Sequence, residues 1–114
     1  MHEMSLAEGV LQIVEDAARR QGFARVRAIR LEIGAMAAVE PESLRFCFDA
    51  VSRETVADGA RLEIVATEGQ GQCLECGRRM RVRERYAPCP GCGGHRVQII
   101  AGMEMRVREL EVDG

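Results

Sequence analysis

The spacing of apolar residues near the start of the chain predicts an amphipathic helix. Ser5 and Glu8 have the spacing of a capping box, so the helix is predicted to begin at Ser5. Gly22 is a typical residue after a helix end, which places that end near Gln21. The apolar stripe that would face a core consists of Leu6, Val10, Ile13, Val14 and Ala17.

A second amphipathic helix is predicted to begin at Pro41, because proline suits the first turn of a helix. The pattern ends near Thr55. Cys47 lies on the apolar stripe of this helix, so we interpret it as a small buried apolar residue. The stripe consists of Leu44, Cys47, Phe48 and Val51.

Apolar and polar residues alternate in other stretches, which predicts strands over residues 25–33, 60–67 and 97–112. Gly102 interrupts the last of these, and we predict that this stretch returns to the sheet formed by the first two. The predicted fold class is therefore α+β: a small mixed sheet with two helices, plus an inserted cysteine-rich module.

The residues that join the sheet to the cysteine-rich module differ in composition from their surroundings. Residues 68–72, EGQGQ, contain no apolar residue and two glycines, which is typical of a flexible connection. We therefore predict an α/β domain over residues 1–69, completed by residues 97–114. The inserted domain is predicted over residues 70–96.

The composition excludes several classes of protein. The chain has 114 residues, of which 46% are apolar and 30% charged, as in folded globular proteins. With a formal net charge of −2, the chain lacks the overall positive charge of a typical nucleic-acid binder. No apolar stretch approaches the roughly 18 residues that cross a bilayer, and the N-terminus does not resemble a signal peptide. We therefore expect a cytoplasmic protein.

The cysteines have the spacing of a metal site. An odd count of five without a secretion signal argues against a disulfide framework. Four of them form two knuckles, CLECG and CPGCG, and the ligands would be Cys73, Cys76, Cys89 and Cys92. Four thiolates saturate zinc and leave no position for water, which predicts a structural Zn(II) site. Iron in the same cage stays open as an alternative.

The N-terminal tip offers a second set of donor atoms. The α-amine of Met1, together with the amide nitrogen and Nδ1 of His2, can form fused chelate rings around one ion. Such nitrogen donors suit the planar geometry of Ni(II) or Cu(II). The fourth donor could come from Glu3, from His95 or from a partner. A solvated His2 without a ligand is the alternative.

The sequence resembles the HypA/HybF family of hydrogenase nickel-incorporation accessory proteins. The resemblance covers essentially the whole chain, in order. It is carried by Met1-His2-Glu3, SLAEGVLQIVEDAA, RLEIG, PESLRFCFDAV and the paired CLECG and CPGCG.

The resemblance implies a nickel metallochaperone that works with a HypB-type GTPase. It would supply Ni(II) to the large subunit of [NiFe] hydrogenase, and in some organisms it also serves urease with its accessory proteins. Met1, His2 and Glu3 would belong to the nickel site, so residues 1–69 become a nickel-binding domain. The four knuckle cysteines would hold zinc, which makes residues 70–96 a zinc-binding domain.

Two other functions are alternatives to a metallochaperone. A zinc-ribbon adaptor for nucleic acid or protein is the main alternative, because arginines crowd the module and Tyr86 could stack on a base. We favour the interpretation that these arginines offset the charge of the zinc thiolates. They are Arg78, Arg79, Arg81, Arg83 and Arg85. An enzyme is not expected, since no nucleophile, base and orienting group occur in plausible context.

Overall fold

The computed structural model describes residues 2–113. Two helices and six strands lie in this part of the chain. The elements are α1 (His2–Gln21), β1 (Arg25–Gly34), α2 (Pro41–Val51), β2 (Arg61–Thr67), β3 (Gly69–Cys73), β4 (Arg79–Val82), β5 (Val97–Ala101) and β6 (Met105–Asp113). One sheet has the strand order β2-β1-β6 and the other β4-β3-β5. The predicted fold class, two helices with small sheets and a four-cysteine module, is confirmed.

Helix α1 begins at His2, three residues before the predicted start, so the predicted capping box at Ser5 is wrong. Glu3 lies in the first turn, where a carboxylate is favourable at the positive end of the helix dipole. One oxygen of Glu3 also accepts the backbone N–H of Glu40, at 3.4 Å. The buried side of α1 consists of Ala7, Val10, Val14 and Ala17.

Helix α2 is defined by clear caps at both ends. Glu40 is the N-cap, and its carboxylate accepts the backbone N–H of Glu42 at 3.0 Å and of Ser43 at 3.4 Å. The helix ends at Val51 rather than near Thr55, and Ser52 is its C-cap. The N–H of Ser52 donates the last bond of the helix, to the carbonyl oxygen of Phe48 at 3.0 Å. Leu44, Cys47 and Phe48 are buried, as the sequence predicts.

Strand β1 is the central strand of the first sheet. Its side chains Ile29, Leu31 and Ile33 are buried, which confirms the predicted alternation. On β1, Arg30 lies 3.2 Å from a carboxylate oxygen of Glu63 on β2 and 3.0 Å from one of Glu109 on β6. Arg30 therefore links all three strands, although each exposed pair contributes little stability.

The glycine-rich stretch at residues 68–72 is not a flexible connection, because most of it forms β3, the central strand of the second sheet. Gly69 and Gly71 are both buried. A Cβ atom added to Gly69 would lie 2.5 Å from the carbonyl oxygen of Val82, and one added to Gly71 would lie 2.7 Å from Cγ2 of that residue. These glycines allow close packing, and the prediction of flexibility is wrong.

The last extended stretch divides between the two sheets. Val97 pairs with Cys73, and Gln98 pairs with Gln72, so β5 belongs to the second sheet. The prediction that the whole stretch from Val97 joins the first sheet is therefore wrong for its first half. The chain turns at Gly102, whose φ of +96° suits glycine, and β6 enters the first sheet from Met105.

The contacts divide the chain into two compact units. The first contains the residues up to 31, residues 39–65 and the residues from 106 onward. The second contains residues 32–38 and 66–105. Assignment of nickel binding to the domain of residues 1–69 and 97–114, and of zinc binding to residues 70–96, stays a prediction. Neither described helix has the length and apolar character that a bilayer crossing needs.

Candidate metal centres

The two cysteine knuckles have the same backbone fold. In the first, the N–H of Gly77 donates to the carbonyl oxygen of Cys73 at 2.9 Å. In the second, the N–H of Gly93 donates to that of Cys89 at 2.8 Å. Both glycines have positive φ, +79° and +74°, as the sequence predicts for the residue after each second cysteine. The local sequence therefore shapes each knuckle.

The four sulfur atoms lie close enough together to bind one ion. Every pair of sulfurs in the cluster lies within 4.8 Å. Between the knuckles, the distance from Cys73 to Cys92 is 3.6 Å, and that from Cys76 to Cys89 is 3.7 Å. A tetrahedral zinc with Zn–S bonds of about 2.3 Å needs edges of about 3.8 Å, so the cage fits Zn(II). Among residues 2–113 all five cysteines are free thiols, so no disulfide competes.

The thiols differ in burial and in acidity. Cys73 and Cys89 are buried, whereas Cys76 and Cys92 are exposed. Hydrogen bonds from the backbone of Cys92 and Gly91 lower the pKa of Cys89 to about 7. The amide of Gly94 alone would lower the pKa of Cys92, but the neighbouring thiol of Cys73 and partial desolvation raise it to about 12. Cys89 is therefore the more acidic of these two thiols.

The predicted nickel residues that the structure describes lie together at the start of α1. The imidazole of His2 is half exposed, and its Nδ1 lies 3.6 Å from a carboxylate oxygen of Glu3. Hydrogen bonds from the backbone of Glu3 itself and from that of Glu40 lower the pKa of the Glu3 carboxyl. Met1 lies outside the described residues. The role of these residues in binding nickel stays a prediction.

The other residues with candidate chemistry lie in the second unit. His95 is exposed and lines a small cavity with Arg85 and Tyr86. Within residues 2–113, the knuckle cysteines are the only group of three or more potential ligands close enough to share an ion. Arg81 pairs with Glu68 at 3.2 Å, and Arg85 donates to the backbone oxygen of Met36 at 2.9 Å. These two arginines therefore have partners within the chain.

Sequence reasoning missed the contact that anchors Glu3. Glu40 before Pro41 is a recognisable N-cap signal, but nothing local to the sequence connects it with a residue 37 positions earlier. The packing of α1 beside α2 creates this contact, and it holds the start of α1 against the start of α2.

Comparison with known proteins gives matches over nearly the whole chain. The family model described as "Hydrogenase/urease nickel incorporation, metallochaperone, hypA" matches residues 1–112. The hydrogenase maturation factor HypA of Alkalilimnicola ehrlichii is 58% identical over 99% of this chain and 100% of its own length. That of Rhodopseudomonas palustris is 56% identical with the same coverage.

Two solved structures share the fold. The solution structure of the Ni metallochaperone HypA from Helicobacter pylori has a TM-score of 0.70 and 24% identity, and the match covers 96% of each chain. A solution structure of HypA protein has a TM-score of 0.69 and 25% identity, over 98% of this chain and 96% of that one. The family model and the close relatives show that the chain belongs to the HypA family and is a nickel metallochaperone of hydrogenase maturation rather than an enzyme.

Proposed function

We propose that the chain binds Ni(II) at its N-terminus and delivers it, together with a HypB-type GTPase, to the large subunit of [NiFe] hydrogenase in the cytoplasm. The donors are the α-amine of Met1, the amide nitrogen and Nδ1 of His2, and a further atom from Glu3 or a partner. Where the organism has urease, the same tip passes nickel to urease accessory proteins.

The observation that carries this proposal is the half-exposed imidazole of His2 at the start of α1. The first four backbone N–H groups of a helix have no acceptor within it, so the amide nitrogen of His2 is not committed to the helix ladder. An amine, an amide and an imidazole in sequence are nitrogen donors of the kind that planar Ni(II) prefers. The tip therefore supplies a donor set suited to nickel.

The two candidate sites suit opposite duties. Zinc, held by Cys73, Cys76, Cys89 and Cys92, would supply a fixed shape, since four thiolates complete its coordination. Two of those sulfurs belong to buried residues. The imidazole of His2, by contrast, is accessible to the ligands of a partner. This contrast supports a retained zinc ion and a transferable nickel ion.

The nickel site is tested by titrating Ni(II) into untagged, zinc-loaded protein by calorimetry. One glycine added before Met1 displaces the α-amine from His2, and His2→Ala removes the imidazole. Each change is expected to weaken nickel binding by about tenfold or more, since each removes one donor from the chelate. Zinc content, measured on the same samples, should not change.

The chain offers a matched control because His95 is its only other histidine. His95→Ala is expected to leave nickel affinity within about twofold of the unmodified protein. If the extended protein and His2→Ala both bind nickel as tightly as the unmodified protein, the tip does not hold nickel. If only His95→Ala weakens binding, the site lies in the second unit instead.

Delivery is tested with the HypB-type GTPase of the same organism. Nickel bound to the unmodified protein should move to a competing chelator faster when the GTPase and GTP are both present, because partner ligands replace those of the tip. Stopped-flow absorbance of the chelator measures this rate. A rate that does not respond to the GTPase would refute the proposed partner while leaving the nickel titration intact.

A further inference from the structure

The two knuckles are equivalent in backbone but not in side chains. The N–H of Cys73 donates to the carbonyl oxygen of Arg78, and the N–H of Cys89 donates to that of Gly94, both at 2.8 Å. Each knuckle is thus a closed loop of six residues. The third position is Glu75 in the first loop and Gly91 in the second, and the sixth is Arg78 in the first and Gly94 in the second. The first knuckle therefore has charged side chains where the second has glycine.

These charged side chains lie over the glycines of the other knuckle. A Cβ atom added to Gly91 would lie 3.0 Å from Nη1 of Arg78 and 3.1 Å from its Cδ. One added to Gly94 would lie 1.7 Å from a carboxylate oxygen of Glu75. The third position of each loop therefore lies against the sixth position of the other loop. The two glycines of the second knuckle leave the space that the side chains of Arg78 and Glu75 fill.

The same two spaces adjoin different sulfur atoms of the cage. A Cβ atom added to Gly91 would lie 3.7 Å from Sγ of Cys89, and one added to Gly94 would lie 3.3 Å from Sγ of Cys92. The guanidinium of Arg78 is thus near the buried Cys89, and the carboxylate of Glu75 is near the exposed Cys92. A cation near a thiolate stabilises its negative charge, whereas a carboxylate near it does the opposite.

We propose that Arg78 and Glu75 set the order in which the zinc cage opens. Arg78 is a positioning residue that retains the metal on the side of Cys89, and Glu75 weakens the bond on the side of Cys92. Cys92 is consequently the first thiolate to leave the ion. This inference rests on the proposed occupancy of the cage by zinc.

Zinc release from the full-length, zinc-loaded protein into excess chelator tests the two charges. Arg78→Gln should accelerate release by about tenfold, the lower end of what loss of an outer partner costs a metal site. Glu75→Gln should slow release by about threefold, as expected for one exposed charge. A chromogenic zinc indicator follows both rates.

The order of opening is tested by limited treatment with iodoacetamide. The sulfur that leaves the metal attacks the carbon that bears iodine, a C–S bond forms, and iodide departs. Mass spectrometry should find the first label on Cys92 rather than on Cys76, although both are exposed. Glu75→Gln should lower the share of label on Cys92 relative to Cys76.

Matched variants separate charge from packing. Arg79→Gln removes the neighbouring arginine, which lies on β4 opposite Gln72. Because this arginine offers only the small effect of one exposed charge, its loss should accelerate release by no more than about twofold. Arg78→Lys keeps the positive charge, so it should release zinc at a rate close to that of the unmodified protein. Salt at about 1 M should reduce the difference in zinc-release rate between Arg78→Gln and the unmodified protein, because salt screens charge but does not change packing.

The proposal is overturned if Arg78→Gln releases zinc no faster than Arg79→Gln, or if the first label falls on Cys76. A normal zinc content with unchanged rates refutes this inference alone. Absence of zinc from the untagged protein refutes the proposed zinc site, and this inference with it.

Discussion

Replacing Cys89 with alanine is expected to abolish zinc retention and to unfold residues 66–105. This segment has little core of its own: its buried apolar side chains are Val82 and two cysteines, Cys73 and Cys89. So small a core cannot offset the entropy of ordering the chain. Zinc contributes on the order of 10 kcal/mol to the folding of comparable small zinc peptides, so its loss removes the main stabilising term.

Hydrogen exchange by mass spectrometry measures this outcome segment by segment, and metal analysis measures zinc. Peptides from β3, β4 and β5 should exchange like an unfolded chain, while α1 and α2 keep their protection. Cys47→Ala is the matched control, since Cys47 is buried on α2 and outside the cage. It should cost about 1–2 kcal/mol and leave zinc bound. Normal zinc content and protection in Cys89→Ala would show that three thiolates suffice.

The first sheet and the helices were accessible to sequence reasoning because their periodicity is strong. Ile29, Leu31 and Ile33 alternate in the sequence and are all buried in the structure. The start of α1 could not be predicted from the sequence, because Glu3 is held by Glu40 from a distant segment and local capping rules do not include that contact. This tertiary contact therefore explains why α1 begins earlier than predicted, whereas the prediction that the segment is a helix is confirmed.

Strand β3 shows a different kind of failure. Glycine usually weakens a strand, so the composition of EGQGQ predicts a connection. In the structure Gly71 faces Val82 on one side and Val97 on the other, at distances that leave no room for a side chain. The composition of EGQGQ shows where side chains are absent, but it does not show how close the neighbouring strands lie. Only the pairing with β4 and β5 shows why glycine is needed there.

The knuckles were predictable because each is a local motif, whereas their mutual contacts were not. Spacing and the glycine after the second cysteine suffice to bring two sulfurs together in each loop. How Arg78 lies over Gly91 depends on the approach of one loop to the other. The difference between charged residues in one knuckle and glycines in the other is nevertheless visible at equivalent positions of CLECGR and CPGCGG.

A second large effect is expected where two backbones pass without room for a side chain. Gly34 ends β1, and its N–H donates to the carbonyl oxygen of Glu104 at 2.8 Å. Two residues on, the N–H of Met36 donates to the carbonyl oxygen of Gly102, also at 2.8 Å. A Cβ atom added to Gly34 would lie 2.0 Å from that same oxygen of Gly102. Neither segment can move aside without losing a backbone hydrogen bond.

Gly34→Ala should therefore lower the free energy of unfolding by about 3 kcal/mol or more, through overpacking against backbone that cannot yield. Gly9→Ala is the matched control: Gly9 lies inside α1, and an added Cβ atom meets nothing within 4 Å. It should stabilise the protein by about 0.5–1 kcal/mol, since alanine is the better helix former. Denaturant unfolding of both variants at equal zinc content measures the difference. Equal effects of the two substitutions would mean that the segments at Gly34 and Gly102 separate readily, because only a loose crossing could admit a methyl group without cost.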